Sequence, residues 1–281
     1  WQASAAGVWN PEDQGSVLEP REAWARGAGL EGRAVDESRG PVTLVRIRPD
    51  RWGFWVATLT WITGVVAFGV AVTTPPRSGP FCTSGCIGYP FTDAAAFVPR
   101  DYLWMYPATV LLMLFVALAV VIHTHATVSR RVFTATGVAF ATIAATVLVL
   151  DYAIQLMVMQ PSLLAGEAEG LSVFSQYNPH GVCIAMENIG YVAMAVAFVF
   201  LAPAFTDRSR LDRILRWLLT VAGGLTVLLL VVMAIGFGAD LEYRFEVAAI
   251  SITWITLTVA AGLLTAWMRR DAPTSGQSPS P

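Results

Sequence analysis

Asp151 and Gln155 lie four residues apart inside one long apolar run, and Glu187 and Asn188 lie inside the next. A spacing of four is about one helical turn, so Asp151 and Gln155 share a face. On the following run His180, Cys183, Tyr191 and Met194 fall on the Glu187 face at i−7, i−4, i+4 and i+7. An ionisable side chain in the middle of a hydrocarbon layer costs ~2.5–3.5 kcal/mol even on the most lenient insertion scale, which makes these carboxyls candidates for function. Asp151 stands before Gln160 by roughly 13 Å of helix, and Glu187 after His180 by roughly 10 Å, at 1.5 Å per residue. Consecutive runs joined by a loop are expected to be antiparallel neighbours. One polar cluster of Asp151, Gln155, Glu187 and Asn188 is therefore expected, with His180 and Tyr191 at its margins.

Two carboxylates close together in a low dielectric need compensation from a proton, a cation or an arginine. One reading is a proton- or cation-linked site, or a pocket for a small polar solute. The other is a structural network, with Arg100 before the second run and Arg244 before the sixth as the charge partners of Asp151 and Glu187. Both readings are open at this stage.

Other chemistry is sparse. Cys82 and Cys86 flank Thr83, Ser84 and Gly85 in a loop, and in an oxidising compartment a disulfide is the expected state. A quinone-linked redox role would call for a second cysteine pair, and only Cys183 remains. His123 and His125 are two residues apart and point to different helix faces, so no metal site is expected there. No serine–histidine motif or phosphate-binding loop is present, so no catalytic residues and no cofactor are assigned. Asn178 is expected to cap a helix that has Pro179 at its first position and His180 in its first turn. Phe91–Ala108 mixes Asp93, Arg100 and Asp101 with aromatic residues and reads as a short interfacial helix followed by an aromatic belt.

The elements that must position these groups are six apolar runs: Trp52–Val72, Leu103–His123, Val132–Gln160, His180–Ala202, Arg216–Gly238 and Glu246–Met268. Each reaches the ~20 residues that a helix needs to cross ~30 Å of hydrocarbon. The expected fold is all-α, a polytopic bundle of six transmembrane helices. Arginines supply all 18 basic residues. Arg46, Arg48, Arg51, Arg130, Arg131, Arg208, Arg210, Arg213, Arg216, Arg269 and Arg270 fall on one side of the zigzag, and only Arg77, Arg100 and Arg244 on the other. The positive-inside rule then puts both termini in the cytoplasm. The 74–102 and 161–179 loops face outward and are expected to fold partly over the bundle.

Residues 1–45 lack apolar periodicity, and the first methionine is Met105. They are expected to be either a disordered tail or a leader upstream of initiation at Val42. Residues 46–270 form the membrane domain, and the Pro/Ser-rich residues 271–281 a disordered tail. A net charge of −2 with no basic tract argues against nucleic acid as a partner. The expected partners are the lipid bilayer, a small polar solute or cation, and another membrane protein or a second copy of the chain.

The stretches TDAAAFVPRDYLWMYPA, DYAIQLMVMQPSLLAGEAEGLSVFSQYNPHG, MENIGY and LEYRFEVA resemble a family of uncharacterised bacterial multi-pass membrane proteins. The resemblance runs from about Trp52 to Met268. It implies a six-helix integral protein of the plasma membrane and transfers no site residue. The leading expectation is a small transporter or permease-like protein. The alternative is a non-transporting sensor or assembly subunit that binds a partner.

Overall fold

The computed structural model describes residues 49–206 and 209–270. The expectations for 1–45 and 271–281 lie outside the described residues. Six helices are long and apolar enough to cross a membrane. They are α1 (Pro49–Val72), α2 (Met105–Thr124), α3 (Arg131–Ile154), α4 (Val182–Leu201), α5 (Arg210–Phe237) and α6 (Glu242–Arg270). The described residues contain no strand.

Most boundaries have a local cause. A capping box starts α5: Asp212 N–H donates to Ser209 Oγ at 3.0 Å, and Ser209 N–H donates to Asp212 Oδ2 at 3.1 Å. That cap extends α5 six residues beyond the apolar run. At its far end α3 does not stop near Gln160 as the sequence suggests. It widens into a π-turn at Gln155–Met159, continues through Gln160–Ala165, and ends at Gly166 with φ +74°. Pro161 has no N–H to give to the Met157 carbonyl, so the regular ladder is already interrupted in that turn. Asp151 consequently lies roughly 21 Å along the helix from its true end, deeper than the sequence estimate.

The start of α4 also differs. Asn178 Oδ1 accepts the His180 N–H at 3.0 Å, which caps a turn before the helix rather than the helix itself. Helix α4 begins at Val182, so His180 precedes it and is exposed. The 91–108 segment is not one interfacial helix either. It forms two short 3-10 turns, Thr92–Phe97 and Arg100–Tyr102, before α2 begins. Pro99 lies between them and cannot continue a helical hydrogen-bond ladder.

In the bundle, α1 packs between α2 and α6, α3 between α2 and α4, and α4 against α6. Helix α5 packs on the outside of α4 and α6. Phe115 and Phe198 meet edge to face at 5.7 Å in the centre, both fully buried.

The pairing of α3 with α4 fixes the candidate site. Gly137 admits Leu201: a Cβ there would lie 2.8 Å from its Cγ. Gly190 admits Leu148, where a Cβ would lie 2.5 Å from Cγ. Eleven residues up α3 correspond to eleven residues down α4, as an antiparallel pair in one register requires. Three more steps along the same register bring Asp151 opposite Glu187. Two glycines therefore set the position at which the two carboxyls meet.

Cys82 and Cys86 are joined by a disulfide, and Cys183 is a buried free thiol. Thiol labelling of the unreduced, denatured protein should therefore find a single reactive cysteine. Labelling at all three would refute the bridge.

Candidate functional site

The two long loops at the disulfide end of the bundle form a cap. Phe91, Ala94, Met159, Leu163, Leu171 and Tyr177 make a small apolar cluster shared by both loops and the end of α3. A polar tie completes the cap. Arg77 Nε donates to Asp101 Oδ2 at 3.0 Å, and its guanidinium lies 3.9 Å from the centre of the Phe97 ring. Tyr177 Oη donates to the same Asp101 oxygen at 3.3 Å, and burial pushes the Tyr177 phenol well above its ordinary range, so it stays a donor. Ser78 Oγ lies 2.7 Å from the Tyr177 carbonyl and 2.6 Å from the Tyr243 hydroxyl. Tyr243 in turn reaches the Gln176 carbonyl at 2.9 Å, which fastens both loops to α6.

Beneath this cap is a cavity of about 470 Å³ between the cap-side ends of α1 and α6. Phe68 and Ala71 come from α1, Trp104 from the turn before α2, and Ile250 and Trp254 from α6. The walls are mostly apolar and aromatic. Glu246 lines the cavity, and its carboxyl meets that of Glu187. Gln176 Nε2 and Trp254 Nε1 also belong to cavity-lining residues and are buried donors without partners. Trp254 itself is only 1% exposed.

An acidic trail leads from the cavity into the bundle. The Glu246 carboxyl adjoins Glu187 on α4, and Glu187 stands opposite Asp151 in the α3–α4 register, within electrostatic reach of it. Asp151 is fully buried, and the Cys183 thiol lies against its carboxyl as a hydrogen-bond partner. Farther in, the hydroxyls of Tyr152 and Tyr191 meet at 2.7 Å. The Trp104 ring bridges the two regions, 5.2 Å from Tyr152 and 6.0 Å from Trp254.

Of the residues expected in a polar cluster, Asp151 and Glu187 come together and Tyr191 lies one turn farther in. Gln155 Nε2 donates to the Phe174 carbonyl and ties the second loop to the π-turn, and its Oε1 is buried without a partner. Asn188 is one residue and about 100° from Glu187, and its Oδ1 is buried without a partner. His180 belongs to the cap. The two arginines proposed as charge partners are engaged elsewhere. Arg100 pairs with Asp101 at 3.3 Å and donates to the Thr73 carbonyl at 3.1 Å. Arg244 donates to the Asp240 carbonyl at 2.8 Å and lies over the Phe237 ring at 4.6 Å. Arg100 lies in the turn before α2, and Arg244 in the first turn of α6.

The apolar pattern alone does not single out Glu246, because it stands at the first residue of the sixth apolar run. The helix starts at Glu242, so Glu246 lies a full turn inside it. The signal was present in the spacing of Tyr243, Glu246, Ile250 and Trp254, which share one face with a single carboxyl among apolar neighbours. At the opposite end, His123 Nδ1 is 2.6 Å from Thr134 Oγ1, and His125 packs on Trp267 at 5.2 Å. Among the described residues, no three His, Cys, Asp or Glu side chains converge on a position for a metal ion.

No family model matches the chain, and no curated protein or solved structure matches it.

Proposed function

We propose that the protein is a small transporter of the plasma membrane in which a proton or another cation is handled by Glu246, Glu187 and Asp151. The observation that carries this reading is the continuous acidic trail from an accessible cavity to a fully buried carboxyl that has no arginine partner. A purely structural network would pair those charges, since an uncompensated buried carboxylate costs several kcal/mol or more. Movable protons or cations supply the compensation instead. The π-turn one turn above Asp151 supports the same reading, because such turns recur at functional sites in helices.

In this proposal the cap faces outward and both chain ends lie in the cytoplasm. Among the described residues Arg51, Arg130, Arg131, Arg210, Arg213, Arg216 and Arg269 lie at the end opposite the cap. Reporter fusions after Arg131 and Arg213 should read cytoplasmic, and one between Glu167 and Ser175 external. An inverted pattern would overturn the orientation.

A second reading is favoured by the packing below the trail. Phe115, Leu148, Tyr152, Tyr191 and Phe198 are each at most 2% exposed and fill the bundle centre. A receptor that binds its ligand in the cavity and passes a signal to a partner needs no route through that layer. Proton flux into liposomes containing the purified protein separates the two: a transporter gives flux that Asp151→Asn abolishes, and a receptor gives none.

A further inference from the structure

We propose that the cavity binds an amphipathic organic cation, an apolar body carrying one positive charge, with the charge against Glu246 and the body between the aromatic walls. This rests on the reading of the acidic trail as a cation-handling site and names the class of ligand that enters it.

The charge of the cavity is decided by Glu246. Arg77 is the one basic residue in its wall, and Asp101 neutralises it at 3.0 Å. Behind Glu246 stand Glu187 and Asp151, and Arg77 is already paired, so the wall offers carboxyls to a cation and no unpaired basic group to an anion. The rest of the wall is unsuited to a small hydrated ion or a sugar. Phe68, Phe81, Trp104 and Tyr243 present aromatic surface, which attracts a weakly hydrated cation through its ring faces. Polar solutes would leave many of their hydrogen-bonding groups against apolar carbon, at a cost for each. The volume, about 470 Å³, lies within the range of pockets for drug-sized ligands and far exceeds the need of a bare ion.

The rim shows how such a molecule arrives. Val72 on α1 and Val247 on α6 both line the cavity, and they are 65% and 42% exposed. Both belong to membrane-crossing helices, so the mouth between α1 and α6 borders the bilayer. An amphiphile dissolved among the lipid headgroups reaches that mouth without crossing the cap.

The test uses tetraphenylphosphonium, whose charge is fixed, and tetraphenylborate, an anion of nearly the same shape. Radiolabelled tetraphenylphosphonium should bind saturably to the purified full-length chain in detergent, and tetraphenylborate should not displace it. Glu246→Gln should weaken binding by about tenfold or more, the scale of losing one charged contact. Ala71→Phe keeps every carboxyl and fills the cavity, so it should weaken binding as well. Wild-type affinity in a folded Glu246→Gln or Ala71→Phe protein, or equal competition by tetraphenylborate, overturns the proposal. Proton flux dependent on Asp151, without tetraphenylphosphonium binding, overturns this ligand class and leaves the transport reading standing. Binding without any flux supports the ligand class and overturns transport in favour of a receptor.

Discussion

Asp151→Asn is expected to leave folded yield and thermal midpoint intact while lowering flux through the reconstituted protein by ~10²-fold or more, the scale of removing a positioned proton-transfer group. Asparagine keeps the shape of the side chain and removes its ability to carry a proton or hold a cation. The stability half of this result follows from what Asp151 lacks. Breaking a buried ion pair costs ~3–5 kcal/mol because the abandoned charge stays buried. Among the described residues, no arginine forms an ion pair with Asp151. Its neighbours are Glu187 and the Cys183 thiol, so the amide leaves no buried charge without its partner. Fluorescence-detected gel filtration and a melting curve measure the first half, and a pH-sensitive dye inside liposomes the second. Double-mutant cycles with Arg100 and Arg244 should show no coupling, since those side chains lie on Asp101 and Phe237. A collapse in yield that removal of either arginine rescues would return the carboxyls to a structural role.

The legible and illegible parts of this chain divide on a physical line. Each of the six spans is a local property of about twenty apolar residues, so the apolar runs contained them without reference to anything else. The meeting of Asp151 with Glu187 was nearly as legible, because helical spacing and antiparallel neighbours limit the choices. What set the exact register was close packing at Gly137 and Gly190, and nothing in a single sequence marks which glycines a neighbour will fill. Glu246 was hidden by the boundary drawn through it. Charge partners were the least legible feature. Proximity to a helix end made Arg100 and Arg244 look available, yet each found an acceptor within its own segment or cap. Long arginine side chains satisfy the nearest acceptor that leaves the head near water, and a carboxyl two turns inside the bundle is not that acceptor. Asp101 read as part of an amphipathic stretch, although its role as the anchor of the cap depends on Arg77 and Tyr177, 24 and 76 residues away.

That anchor carries the other large expected effect: Asp101→Asn should destabilise the protein by ~3–5 kcal/mol, the usual cost of stripping one partner from a buried ion pair. Asp101 is 1% exposed overall, and the Arg77 side chain is 15% exposed, so the guanidinium left behind cannot turn fully into water. Arg100 contributes little to this figure, since its side chain is 59% exposed and its pair with Asp101 is screened. The Tyr177 hydroxyl loses its charged acceptor as well. Arg77→Gln alone should also destabilise, and the double variant should recover part of the summed loss, with positive coupling in a cycle of melting measurements. Unchanged stability in Asp101→Asn would show that the tie does not hold the cap. A consequence for the cavity follows from the same charge balance. With Asp101 neutralised, Arg77 becomes an uncompensated cation in the cavity wall, so whatever Asp101→Asn protein folds should bind tetraphenylphosphonium more weakly than wild type. Restoring neutrality with Arg77→Gln should return that affinity, because Glu246 again sets the sign of the site.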